Sequence, residues 1–474
     1  MRYTCIVAAH KDRSTRGSSQ FDRKLDSAYL DGPRIVDVLA GRNTQGSLCS
    51  GQVRPGGYER SKQMDEVYPD SSGLDVHQKF VVACVMLPNR QGKLKPERRK
   101  FVTTTKGLHE LAEWLAGHGI KQVAMESTGV YWKPVYNILH ERFDVWVVNA
   151  RHLAQVPGRK TDDTDATWIT KLMRHGLLQP SFIPDEWQRD LREMTRYRTR
   201  LHQEKSNAVN RLHKSLEDAN IKLGAVVSDI QGVSARAMLE ALIDDRLNTE
   251  QMADLAHTTL RKKIPELVEA LTGLVRVHHR FMLHEILTHI DELNQRIGTL
   301  NQRISQLVAP YATIIERLDE IVGVGRVTAE IILAEIGPSV EKWPTAGHLA
   351  SWSCLCPGNN ESGGKRRSGK RRKGQKWLVT ALVEAAWAAS RSKDTYLAAQ
   401  FHRLRARRGE QRAAIAVAHS ILIIVYHLLK DPQARFQELG GDYFLTKNRG
   451  QEERRAVRTL NTLGFEVTLT PIAA

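Results

Sequence analysis

The sequence predicts an α/β N-terminal domain, then a long helical and coiled-coil region, then a mostly α-helical C-terminal domain. Three patterns predict it. Between residues 72 and 175 short apolar runs alternate with helical periods, as in a mixed sheet flanked by helices. Residues 286–307 repeat apolar side chains in steps of three and four over three heptads. From 318 to 435 helical periods succeed one another.

Taken in order, residues 1–63 are rich in Gly, Ser and Arg and hold no sustained apolar period. They read as a disordered extension, or as a stretch ahead of a natural start at Met64. Residues 64–185 form the expected catalytic-type α/β domain. Strands are expected at 73–77, 80–87 and 100–105, a helix at 107–118 and a strand at 122–126. A helix at 130–140, a strand at 144–149 and a helix from about 161 to 175 follow. Residues 186–317 are the helical region. Its seam of Ile286, Ile290, Leu293, Ile297, Leu300, Ile304 and Leu307 fits a hairpin within one chain or a contact between subunits, and the second is favoured. Residues 318–435 form the second domain, and 436–474 a basic tail with a helix at 451–463 and a strand-like end at 465–469.

Charge and cysteine usage narrow the function. The chain of 474 residues carries 70 Lys+Arg against 53 Asp+Glu, a net +17, which favours a polyanionic partner such as nucleic acid. Five cysteines, an odd number without a CxxC pair, fit a reducing compartment rather than a disulfide framework. His348, Cys354 and Cys356 lack the spacing of the usual zinc modules. No apolar leader is visible in the first thirty residues. The run 413–429 spans 17 residues and holds His419 and His427, so it reads as a buried helix rather than a membrane span. A cytoplasmic, nucleoid-associated protein without membrane contact is expected.

Four carboxylates stand where chemistry could use them. Asp75 lies in the first strand, and Glu126 ends the apolar strand Val123-Ala124-Met125. Asp162 and Asp165 are three apart in the first turn of a helix and share a face. Each has a plainer reading: a hairpin residue, a solvated strand end, or acids complementing a helix dipole. Jointly, on this strand order, they form the pattern of a ribonuclease-H-like nuclease, in which carboxylates hold a pair of divalent ions for phosphoryl transfer. Hard oxygen donors suit Mg²⁺ or Mn²⁺.

The stretches GLDVHQKFVVACV, AMESTGVYWKPVYNIL and NARHLAQVPGRKTDDTDA resemble the DEDD transposases of the insertion-sequence-110 family. The resemblance covers roughly residues 66–470. It implies a RuvC-like domain of ribonuclease-H fold, with Asp75, Glu126, Asp162 and Asp165 as catalytic metal ligands. A second motif, HLASWSCLCPGNNESGGKRRSGKRRKGQKW, is similar to the C-terminal transposase domain of the same family. There the serine of Pro-x-x-x-x-Ser-Gly is the proposed nucleophile, which maps to Ser362. The resemblance further implies a composite site, a covalent phosphoserine link to DNA, and an element-encoded guide (bridge) RNA. Where the family usually has glycine this chain has Cys354.

Flanking Gly363 and Gly364 would let backbone approach a phosphate. Lys365, Arg366, Arg367, Lys370, Arg371, Arg372, Lys373 and Lys376 place eight positive charges in twelve residues, suited to a nucleic-acid backbone. Ser368, among them, reads as a phosphate contact. Residues 318–336 resemble a helix-hairpin-helix, whose Gly323 and Gly325 would bring backbone N–H groups to a phosphate.

The expected activity is cutting and rejoining of element and target DNA by a homo-dimer or tetramer, since strand exchange needs at least two active sites. A junction-resolving nuclease using water, or a non-catalytic nucleic-acid-binding protein, are the alternatives.

Overall fold

The computed structural model describes residues 66–469, apart from 90–91, 128, 151–152, 154–164, 358–360, 367–368, 370, 373 and 448. The expectations for residues 1–63 therefore lie outside the described residues. The described chain divides into two compact units at residues 185 and 186.

The first unit is built on a five-stranded mixed sheet in the order β3-β2-β1-β4-β5. Its strands are β1 (Ser71–Val76), β2 (Phe80–Pro88), β3 (Leu94–Val102), β4 (Gln122–Glu126) and β5 (Asp144–Val148). β1, β2 and β3 form an antiparallel meander, whereas β4 runs parallel to β1 and β5 parallel to β4. The third strand was expected at 100–105 and lies earlier. β3 is an edge strand exposed from Leu94 to Lys100, so it carries no apolar alternation to read. Thr104 instead caps the helix α1 (Thr105–Gly117), accepting a hydrogen bond from Gly107 N at 3.3 Å.

Alternation across the sheet separates two layers. Val123, Met125 and Val147 join a core with Leu108, Leu111 and Leu115 of α1 and Val135 and Leu139 of α2 (Trp132–Leu139). The residues between them, Ala124 and Val148, join Ile169, Leu172 and Met173 of α3 (Asp165–Arg174) on the opposite face. Burying each such Leu or Ile contributes about 1.5–3 kcal/mol.

In the second unit, α4 (Glu186–Asp218) and α5 (Val277–Val308) pack antiparallel within one chain. Trp187 Nε1 donates to Leu307 O at 2.9 Å near one end, and His279 Nε2 meets Asp218 Oδ2 at 2.9 Å near the other. The apolar seam is consumed here: Ile290 is buried in one cluster with Ala208 and Leu212 of α4, Leu293 and Ile297 in one with Leu201, and Ile304 in one with Leu191. The intrachain hairpin thus accounts for the heptads that were assigned by preference to a subunit contact. Short helices between residues 223 and 271 cover the far end of this pair.

The near end enters a larger helical core. It contains α6 (Ala312–Asp319), α7 (Arg326–Ile336), α8 (Lys376–Ala389), α9 (Tyr396–Arg408) and α10 (Glu410–Lys430). α10 is long and apolar enough to cross a membrane, but most of its apolar stretch is buried in this core. A helix α11 (Arg449–Thr462) occupies the tail, and residues 465–469 form no strand. Phe465 and Leu469 are exposed, and among the described residues no strand lies beside them to complete a ladder.

Candidate active site

The candidate site on the first unit lies at the C-terminal ends of the interior strands β1 and β4. β1 and β4 are in parallel register with Leu74 beside Met125, so Asp75 and Glu126 each stand one residue past the last paired position. Asp165 is the first residue of α3, the helix packed on β1. Gly73 makes that packing close. A Cβ there would stand 2.5 Å from Ala166 O and 2.5 Å from Thr170 N, so only glycine lets the helix backbone rest on the strand. The contact is locked by the buried Thr170 hydroxyl. It accepts from Gly73 N at 2.9 Å and lies 2.7 Å from Ala166 O and 3.1 Å from Cys84 O. One residue beyond Ala166 in the chain direction of the helix start is Asp165, and two residues beyond Gly73 is Asp75.

Asp75, Glu126 and Asp165 are thus carried by three adjoining elements. Asp162 lies outside the described residues. Among the described residues no three of His, Cys, Asp and Glu stand close enough to hold an ion. The donor set is nevertheless all carboxylate, which fits Mg²⁺ or Mn²⁺.

His77 was missed from the sequence. Its Nε2 donates to Asp75 Oδ2 at 3.0 Å, and its ring lies 4.5 Å from that of Phe80. Strand alternation could have found it, because residues two apart share a face.

The serine motif folds as a short hairpin. β6 (Glu361–Ser362) pairs antiparallel with β7 (Lys365–Arg366), placing Ser362 opposite Lys365. Gly363 and Gly364 have φ of +59° and +71°, the signature of a two-residue type I′ turn. A Cβ at either would meet nothing within 4 Å, so the turn's surface is open. Lys365 and Arg371 are exposed, and Arg372 donates to Ser351 O and Oγ at 3.1 Å each. Arg367, Ser368, Lys370 and Lys373 lie outside the described residues.

Cys354 adopts φ +60°, the left-handed region that glycine enters freely. A Cβ on Gly374 would stand 2.7 Å from Cys354 Cβ, so the thiol-bearing residue and the end of the basic loop fit only because residue 374 is glycine. Burial pushes the Cys356 thiol up.

In the helix-hairpin-helix-like element the two glycines differ. Gly323, with φ +86°, faces the backbone of α8, where a Cβ would lie 2.7 Å from Ala389 N. Its Cα side is taken by packing. Gly325, at the start of α7, has open space around it.

Two stretches of the chain match two family models. Residues 72–221 match a model described as a transposase, the DEDD type of IS110, and residues 315–403 match the model of the transposase IS116/IS110/IS902 family. Together the matches span about half of the chain. No curated protein matches it.

Proposed function

This chain belongs to the IS110 family of transposases, and from that premise we propose that it cuts and rejoins DNA with a carboxylate-held metal and a serine nucleophile. The observation that carries the proposal is the placement of Asp75, Glu126 and Asp165 on three adjoining elements, at the ends of β1 and β4 and the start of α3, through the β1–β4 register and the Gly73 contact. The strand order β3-β2-β1-β4-β5, antiparallel on one side and parallel on the other, supports a ribonuclease-H-like reading of this unit.

Asp75, Glu126, Asp162 and Asp165 would hold Mg²⁺ or Mn²⁺. Such an ion supplies Lewis-acid stabilisation of the charge that develops on phosphate oxygens. The protein's own residues do the rest. His77 orients the Asp75 carboxylate through its hydrogen bond. The Ser362 Oγ attacks the scissile phosphorus, losing its proton to a base. An Oγ–P bond forms, one P–O ester bond breaks, and the departing DNA oxygen takes up a proton. Attack by a DNA hydroxyl on the phosphoserine reverses these steps and rejoins the strand. Lys365, Arg371 and Arg372, with Arg366, Arg367, Lys370 and Lys373 of the same loop, hold the backbone without reading bases. Gly325 offers a further approach to phosphate, and Gly323 supports its turn from behind. An element-encoded guide RNA would supply sequence choice, and a dimer or tetramer the two active sites that strand exchange needs.

The test uses labelled element-end DNA, the candidate RNA and Mg²⁺. Strand cleavage is expected with wild type, and a loss of at least 100-fold in Glu126→Gln and in EDTA, as for removal of a key electrostatic group. Cleavage that persists in Glu126→Gln at the wild-type rate would remove the carboxylate site from the mechanism.

A further inference from the structure

The indole of Trp377 gathers cations from two elements of the second unit. Trp377 is the second residue of α8 and directly follows the basic loop. The guanidinium carbons of Arg196 and Arg200 lie 5.9 and 5.5 Å from its ring centroid, and Lys376 Nζ lies 5.9 Å away. Arg196 and Arg200 are four apart on α4, so they present one above the other on the same face, with Arg192 a turn before.

Two of these four cations have a carboxylate partner. Arg192 and Arg196 share the fully buried Glu335, at 3.6 and 2.7 Å. Arg200 and Lys376 form no ion pair among the described residues, and both are exposed. Burial pulls Arg192 down to about 10, opposed by Glu335 and aided to a smaller extent by Arg196. The ring attracts each of its three cations, but like charges at this range also repel one another, and Glu335 meets only the Arg196 side of the group. A polyanion would relieve that repulsion. The half-buried ring also offers a face on which a base or sugar can stack.

The geometry points to a phosphodiester-backbone contact formed by Arg200, Lys376 and Trp377, which extends the nucleic-acid surface from the basic loop onto α4. This inference rests on the recombinase reading above. Ser362 and the carboxylates take no part in it. The ligand chemistry is shared by DNA and a guide RNA, and two probes separate them.

Fluorescence anisotropy of the full chain would use a labelled DNA duplex and a labelled RNA hairpin over a series of salt concentrations. Arg200→Gln is expected to weaken binding several-fold and to reduce the salt slope by roughly 0.9 for each duplex phosphate released, or about 0.7 for a single strand. Arg200→Lys should keep the slope, and the Tm of Arg200→Gln should equal or exceed that of wild type. An effect on the duplex alone assigns the contact to DNA, and on the hairpin alone to RNA. Arg200→Gln and Lys376→Gln with wild-type affinity and slope for both probes, and a lowered Tm, would make the cluster a structural clamp and overturn the inference alone. A wild-type chain that binds neither probe overturns the inference and the recombinase reading together.

Discussion

At the scale of single residues, backbone freedom decides what the site can be. Gly73 lies within the GLDVHQKFVVACV stretch, but its role comes from the approach of α3, which no local pattern in β1 reveals. Gly73→Ala should therefore destabilise the first unit by roughly 1–3 kcal/mol through overpacking, seen as a lower denaturation midpoint. Cys354 is the converse case. The sequence marked it as a departure from glycine, and its φ of +60° gives the physical reason why glycine suits the position. Cys354→Gly should stabilise the second unit by about 1 kcal/mol, since a left-handed non-glycine residue costs on the order of 1–2 kcal/mol. A fall in stability instead would mean that the thiol's packing outweighs the strain. His419 on α10 gives a pH signature. Burial holds its pKa below the ordinary histidine value, so the unfolded chain binds this proton more readily than the folded one. Stability should then fall as pH drops through about 6.5, and His419→Leu should flatten that limb of a Tm-versus-pH curve.

At the scale of elements, the most legible parts were those whose pattern was set by one core. β4 was readable to its ends because a short apolar run bounded by polar residues has few other interpretations. β3 was displaced because an exposed edge strand of charged residues has no period. The β6–β7 hairpin was hidden because two-residue strands carry no alternation, although Gly363-Gly364 was its turn signal. The heptads of α5 gave the right face and left its partner open, since knobs pack alike on a helix of the same chain or of another. Arginines of α4 were unreadable as a lock. Arg198 is buried with Glu330 of α7 at 2.6 Å, and Arg196 grips Glu335 through two bonds of 2.7 and 2.8 Å. Arg198→Ala should cost about 3 kcal/mol by leaving the buried Glu330 carboxylate with only the largely exposed Arg326, 3.1 Å away, as its ion partner. Arg198→Met combined with Glu330→Leu should recover most of the loss in a urea titration, because the apolar pair leaves no charge behind.

At the scale of the whole molecule, charge and chemistry are divided between the two units. The first holds the acids Asp75, Glu126 and Asp165, and the second holds the hairpin of Ser362 and the basic surface. The net +17 forecast a polyanionic partner but not where it is gripped, because Arg200 and Trp377 are far apart in sequence. If the carboxylates hold an ion, millimolar Mn²⁺ should raise the Tm of the first unit by mass action, and Asp75→Ala should abolish that rise while Ser362→Ala keeps it.

The central claim is that Ser362 becomes covalently linked to DNA with the help of the carboxylate-held metal, and one trapping experiment bears on it most directly. Purified full chain, element-end DNA, candidate RNA and Mg²⁺ are mixed, denatured and separated on a gel. The expected result is a labelled protein–DNA adduct that disappears in Ser362→Ala and in Asp75→Ala. Cleaved DNA without an adduct, formed equally by Ser362→Ala, would contradict the claim and make the chain a nuclease that uses water.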